Sequence, residues 1–290
     1  MLLGAAAVVT ACGGWIDLEP AGSGGQASAA GSSGDAGTGG SSDAQSDPFK
    51  MLVLTTALEY RHDSITDCQR MLSDLGQTPD DQLPVGAKPG SRFTIHVATD
   101  DLADFTPTGL KDYGMLFWCP ATGDVFSDNP RVESAATAMA ALRDYVEGGG
   151  AWGGVHSATD FEKTGNFPWY TDTLVGGYLQ SFDADGTPGT VQVEPGYVDH
   201  PVMRGVPPTW SVRDEWFRMN RDVGEQPGFQ IVSRLVSDSR PAVWIKELGA
   251  GNRGRMFYTI RGHAPAVYRE AEFRQLVLNG ILWATRRLEQ

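Results

Sequence analysis

Basic side chains are scarce in this chain. Its 290 residues hold 23 Lys and Arg against 36 Asp and Glu, a formal charge of -13 with a pI near 4.7. Nucleic-acid binding wants a basic face to neutralise phosphates, so no nucleic-acid partner is expected. Cysteine is scarcer still: Cys12, Cys68 and Cys119 are the whole complement. Cys68 falls in a helical pattern and Cys119 at a strand end, so buried free thiols are expected rather than a disulfide. The chain has only five histidines and no His-x-x-x-His or His-x-His pair, so short-range spacing supplies no metal motif. The apolar opening, Met1 to Gly13, is too short to span a bilayer.

That opening has the character of a secretory signal, with small residues before a cysteine. Val9-Thr10-Ala11-Cys12 resembles a bacterial lipobox, which makes Cys12 the candidate lipidation site. From Ala21 to Ser46 the chain is almost wholly Gly, Ser and Ala with a few Asp and Gln. Such a stretch has nothing to bury, and as a flexible coil it would span roughly 28 Å. The expected organisation is a lipoprotein-type signal and mature start over 1–20, a disordered tether over 21–47, and one domain over 48–290. The expected location is the bacterial cell envelope, with the membrane touched only through the lipid.

After the tether, Lys50 to Thr56 is apolar without alternation, as in a parallel strand covered on both faces. Apolar positions Ile65, Cys68, Met71, Leu72 and Leu75 predict a helix that Asp63 or Ser64 can cap. Phe93 to Ala98 alternates and reads as a strand nearer an edge, with His96 facing outward. Tyr113 to Cys119 is a third strand, and a helix from about Pro130 to Val146 leads to the glycines at 148–150. Further strands are expected over 190–194, 229–235, 242–247 and 255–260, and a closing amphipathic helix over 273–288. Phe167 to Tyr170 suggests a short helix. This order predicts an α/β fold: a doubly wound, mostly parallel sheet with helices on both faces.

The chain is organised around Gly148 to Asp160. Three glycines stop a helix, a very short strand follows, and Gly154-Val155-His156-Ser157-Ala158 leads out of it. The pattern is that of a nucleophile elbow with histidine at the apex, and its small neighbours suit a tight turn. In open α/β sheets the carboxyl ends of the strands share one ligand-binding edge. His62 follows the first strand, Thr122 and Asp124 the third, His156 and Asp160 the fourth, and His263 the last. Three of the five histidines are therefore expected at one crevice.

Several of these segments match a family. Tyr60 to Ile65, Thr122-Gly123-Asp124-Val125, Gly148 to Asp160, Pro168-Trp169-Tyr170, Asp199-His200-Pro201, Asp214-Glu215-Trp216 and Phe257 through His263 resemble the ThuA-like, or trehalose-utilisation, family. The resemblance covers about residues 50 to 285, with the motifs in the family's order. It implies a class I glutamine amidotransferase-like fold, also flavodoxin-like, that lacks the amidotransferase cysteine. It also implies a role in bacterial carbohydrate metabolism, so a small-molecule carbohydrate is the expected partner. In one place the chain departs from the family: Leu179 to Asp185 carries no histidine, and Asp183 or Asp185 is the candidate to fill that role.

Three chemistries remain open. His62, His156 and His263 with a carboxylate suit a divalent ion such as zinc. Alternatively, the same histidines with Asp160, Asp214 or Glu215 beside them suit metal-free proton transfer on a glycoside or keto-sugar. A tethered sugar-binding or scaffold protein without turnover would use the same surface. Candidate substrate contacts are Tyr60, Arg61, Asp124, Trp169, Tyr170, Asp214 and Trp216, with core packing an equal alternative for Trp216. Small neighbours around His156 lead to the expectation that His156→Ala changes stability by no more than about 1 kcal/mol.

Overall fold

The computed structural model describes residues 48–99 and 101–289. The expectations for 1–20 and 21–47, Cys12 included, lie outside the described residues. Eleven strands are described: β1 Phe49–Leu54, β2 Phe93–Ala98, β3 Met115–Trp118, β4 Ala151–Val155, β5 Leu179–Phe182, β6 Thr187–Val193, β7 Thr209–Asp214, β8 Phe217–Met219, β9 Phe229–Leu235, β10 Pro241–Leu248 and β11 Gly254–Thr259. The α-helices are α1 Ile65–Gly76, α2 Ala135–Glu147 and α3 Ala271–Ala284, and Trp169–Leu174 forms one π-helical stretch.

Apolar runs without alternation become the centre of the sheet. Met51 to Leu54, all of β3 and all of β4 are buried, as strands covered on both faces must be. The nine-stranded order is β2-β1-β3-β4-β11-β10-β9-β6-β7. Pairings from β2 to β11 are parallel, and those from β11 through β10, β9 and β6 to β7 are antiparallel. The parallel half is the expected α/β architecture, and the antiparallel half extends it. β5 and β8 pair separately as a two-stranded antiparallel sheet.

α1 buries the stripe read from its periodicity and packs against β2 and α3. Each large apolar side chain so buried contributes about 1.5–3 kcal/mol relative to exposure. Ser64 stands at its N-cap but makes no capping bond; its hydroxyl donates instead to Gly262 O at 3.1 Å. α2 begins at Ala135, later than the 130 expected, because Ser134 is its cap and accepts Thr137 N–H at 3.2 Å. His96 on β2 is half exposed and faces Asp104 at 3.5 Å.

Cysteine chemistry departs from expectation. Cys68 on α1 and Cys119 just past β3 form a disulfide with a Cα separation of 6.0 Å. Periodicity showed each pointing into the core but not that the two face one another across 51 positions of sequence.

Candidate active site

β1, β3, β4 and β11 run parallel, so the chain leaving each one emerges at a common edge. These exits are stitched together. Leu58 N–H donates to Thr122 O at 2.9 Å, Thr122 Oγ1 to Tyr60 O at 3.0 Å, and Gly123 N–H to Asp160 O at 2.8 Å. Ser64 and Tyr268 hydroxyls both donate to Gly262 O, at 3.1 and 2.8 Å, tying the His62 loop to the His263 loop.

At the centre, the turn after β4 has the elbow form. His156 holds φ of +50°, the left-handed region that a residue with a side chain seldom adopts. A Cβ on Gly154 would come within 2.6 Å of the Trp152 ring and 2.7 Å of Ala158 Cβ, so the approach to the elbow requires glycine. Gly262, at φ +125°, lets the β11 exit pass so close that an added Cβ would lie 2.7 Å from the Tyr268 hydroxyl. Tyr258 donates its hydroxyl hydrogen to His156 O, and Tyr170 donates to Ala158 O at 2.6 Å.

Four groups converge at this elbow. His156 Nε2 lies 3.1 Å from His62 Nε2, 3.2 Å from His263 Nδ1 and 3.3 Å from Glu215 Oε2. His263 Nδ1 is also 3.3 Å from Glu215 Oε2. One ligating atom from each of the four lies within 4.8 Å of the others. His156 is wholly buried, and its Nδ1 sits 3.1 Å from Ile260 O. A carbonyl only accepts, so Nδ1 carries the hydrogen and Nε2 is the atom turned to the cluster.

The electrostatics follow from this crowding. Burial, then the imidazoles of His156 and His263, push His62 down to about 3, with Glu215 opposing, so His62 is neutral. Burial would raise Glu215, but hydrogen bonds and charge from His156 and His263 outweigh it and hold the carboxyl at about 2. The bond to Glu215 raises His263 against its burial. A carboxylate oxygen and several imidazole nitrogens therefore face one another, an arrangement that needs protons or a cation between them. Four of the six separations, at 3.1–3.3 Å, are close to the roughly 3.3–3.4 Å ligand–ligand edges of a tetrahedral zinc with bonds of 2.0–2.1 Å.

Asp214 organises this cluster. Its buried carboxylate accepts N–H from Glu215 at 2.9 Å and from Gly262 and His263 at 3.1 Å each. Buried Arg261 stands 3.4 Å away and also pairs with Glu270. A single carboxylate thus fixes the backbone of two of the four converging residues, which come from distant parts of the chain.

The cluster opens into a cavity of about 350 Å³ lined by Tyr60, Thr122, Ser157, Asp160, Phe182 and Phe217, among others. Burial raises the Asp160 carboxyl, while its bond to Lys163, at 2.7 Å, opposes the rise. Lys163 also pairs with Glu59 at 2.9 Å. Of the expected substrate contacts, Tyr60 is at the cavity, 63 % exposed. The others are placed elsewhere. Trp216 is buried, its indole N–H donating to Thr187 O at 2.8 Å, so the packing alternative is the one its position fits. Tyr170 is core and braces the elbow, and Asp214 acts through backbone rather than facing the cavity. Trp169 donates to Glu147 at 2.6 Å on α2, and Arg61 is exposed away from the lining. Asp124 is buried against Thr164 and Asn166. Asp183, one of the two candidates with Asp185 for the missing family histidine, is committed to Arg240 and Arg218 at 2.6 and 3.1 Å.

Sequence reasoning passed over Ser157, Lys163, Leu179, Phe182 and Phe217. Ser157 was legible as the neighbour of His156, and Lys163 as the residue three places after Asp160. Phe182 and Phe217 lie on β5 and β8, strands too short to show a period, and gave no signal of their own.

The model of the ThuA family, described as trehalose utilisation, matches residues 50–284. The chain belongs to the ThuA family. A ThuA-like protein from Bacteroides uniformis is 19% identical, with a TM-score of 0.63 over 85% of this chain and 95% of its own. A second, from Parabacteroides merdae, is 18% identical, with a TM-score of 0.60 over 84% and 92%. These likenesses establish the shared fold. No curated protein matches the chain. Membership relates this ThuA-family protein to carbohydrate metabolism.

Proposed function

We propose that His62, His156, His263 and Glu215 hold a divalent metal ion, and that the adjoining cavity takes a glycoside or keto-sugar for metal-assisted acid–base chemistry. The observation that carries this reading is the meeting of three imidazole nitrogens and one carboxylate oxygen, with contacts of 3.1–3.3 Å. The metal-free alternative fills the same space with protons, His156 and His263 both donating to Glu215 Oε2. When bound, an ion of the zinc class polarises a substrate oxygen. Asp160 lines the cavity beside these groups, and its raised carboxyl, restrained by Lys163, serves as the proton-transfer group. Tyr60 and Phe182 offer apolar faces to a sugar ring. Amide hydrolysis by cysteine is disfavoured, because among the described residues both thiols are consumed in the disulfide.

His156→Asn tests the reading. Asparagine tolerates positive φ and can still donate to Ile260 O, yet it lacks Nε2. Metal-free protein titrated with zinc is expected to bind one ion per chain, and the variant to bind more than about 100-fold more weakly, with near-native melting. Equal zinc affinity in both proteins would leave the proton-filled alternative standing.

The same reading places the protein at the cell envelope through Cys12. The lipobox-like segment and the Cys68–Cys119 disulfide support it, since disulfides persist in oxidising compartments.

A further inference from the structure

A second cavity, of about 650 Å³, lies at the opposite end of β11 from His263. Its walls include Tyr197, His200, Gln230, Glu247, Arg255 and Trp283. These side chains come from the segment after β6 and from β9, β10, β11 and α3. The Asp199-His200-Pro201 motif, which plays no part at the metal cluster, contributes its histidine here.

Charges in this cavity are already paired. Arg255 Nε meets Glu247 Oε1 at 2.8 Å, with its guanidinium 4.7 Å from the centre of the Trp283 ring. Glu289, at the rim, is met by Lys88 at 3.0 Å. An ionic ligand would therefore have to break an existing pair.

Neutral hydrogen-bonding groups are left over. Val202 N–H donates to His200 Nδ1 at 3.2 Å, so that nitrogen offers its lone pair and the neutral ring carries its hydrogen on Nε2. Burial, then Arg255 and Arg204, push His200 down to about 4, with Glu247 opposing, so the ring is neutral at physiological pH. Among the described residues, His200 Nε2–H has no hydrogen-bond partner. Gln230 accepts from the Tyr197 hydroxyl at 3.2 Å, which leaves its amide hydrogens as donors and the Tyr197 oxygen as an acceptor. Glu247 keeps its second oxygen as another acceptor. Beside these lie the rings of Tyr197, His200 and Trp283, with centroids 5.6 and 5.8 Å apart along the series.

We infer that this cavity is a second ligand site, one for a neutral polyhydroxylated ring such as a mono- or disaccharide. Every sugar hydroxyl is both donor and acceptor, which matches the interleaved donors and acceptors. The C–H faces of a pyranose pack on aromatic rings, and the absence of unpaired charge selects against acidic and amino sugars.

The test uses the full chain with trehalose and maltose as probes, and glucuronate and glucosamine as charged controls, followed by saturation-transfer NMR and calorimetry. Gln230→Ala and Tyr197→Ala, at exposed and half-buried positions, should each weaken disaccharide binding by about tenfold, the effect of one lost hydrogen-bonded or stacked contact. Melting curves verify that both variants fold. A disaccharide that also enters the metal-centre cavity adds a separate binding event, and only the event that Gln230→Ala and Tyr197→Ala weaken belongs to this site. The inference is overturned if wild type shows no saturable disaccharide binding, or if neither cavity variant weakens any binding event. Preference for a charged control would overturn it as well.

Discussion

Asp214 shows how much at this site is decided by one side chain that does not face the cavity. Its carboxylate holds the N–H groups of Glu215, Gly262 and His263, and stands against Arg261. Removing it leaves three backbone donors and a buried guanidinium short of a partner. Breaking a buried pair from one side costs about 3–5 kcal/mol. Asp214→Ala should therefore melt well below wild type. Asp214→Asn keeps an acceptor oxygen and should retain more of the fold, yet bind zinc about 10–100-fold more weakly. A calorimetric titration beside a melting curve checks this, and unchanged zinc affinity in a folded Asp214→Asn would reduce Asp214 to a structural role. At this scale His156 itself was legible, because a glycine elbow with a histidine apex is a local pattern. Its complete burial was not, since Phe217, with ring centroids 4.2 Å apart, arrives from another part of the chain. The expectation that His156→Ala is nearly neutral for stability gives way accordingly: alanine would leave a cavity and an unpaired Ile260 carbonyl, which is why asparagine is the better probe.

Elements with enough residues to show a period were legible, and short ones were not. β1, β4 and α1 follow from apolar patterning, whereas β5, with four residues, and β8, with three, carry no alternation to detect. These two strands bring Leu179, Phe182 and Phe217 to the cavity, so the apolar wall of the site escaped a sequence reading that found its polar side. The disulfide is a property of packed elements in the same sense. It joins α1, which begins three residues after His62, to the end of β3, which leads to Thr122. A closed loop spanning 51 positions implies, on the chain-entropy model, roughly 4 kcal/mol of stabilisation. The Cys68→Ala/Cys119→Ala double variant should melt several degrees lower than wild type. A reductant should lower wild-type melting toward the variant and leave the variant unmoved; equal melting of the two proteins in the absence of reductant would deny the bond any stabilising role.

At the level of the whole molecule, topology made the site predictable before any contact was known. Parallel strands must release their chains at one edge, so His62, His156 and His263 converge although 94 and 107 positions separate two of the pairs. Glu215 lies outside that rule, since it sits between β7 and β8, in the part of the fold where strand direction gives no common edge. Only its place in the Asp214-Glu215-Trp216 motif marked it. The proposed anchor is also tested on the intact protein: wild type should partition with membranes and Cys12→Ser should not. Recovery of both in the soluble fraction would remove the envelope reading.

Acid response is the last whole-molecule consequence. His200 is held down to about 4 by burial, then by Arg255 and Arg204, against the opposing charge of Glu247, while in the unfolded chain it returns to about 6.5. Between these values the unfolded chain binds a proton that the folded one rejects, so acid favours unfolding. The stabilisation is fully present above about pH 6.5 and is lost as pH falls toward 4. His62, lowered to about 3, and Glu215, lowered to about 2, push in the same direction over their own windows. Wild type alone cannot separate these contributions, and a variant that removes only the His200 titration can. His200→Asn keeps an acceptor for Val202 N–H, so the short helical turn after it stays capped. Melting temperatures measured from pH 8 to pH 4 should fall less steeply below about pH 6.5 in His200→Asn than in wild type, with the two curves parallel above pH 7. Curves of equal slope between pH 6.5 and 4 would mean that His200 protonates as readily in the folded protein as in the unfolded chain.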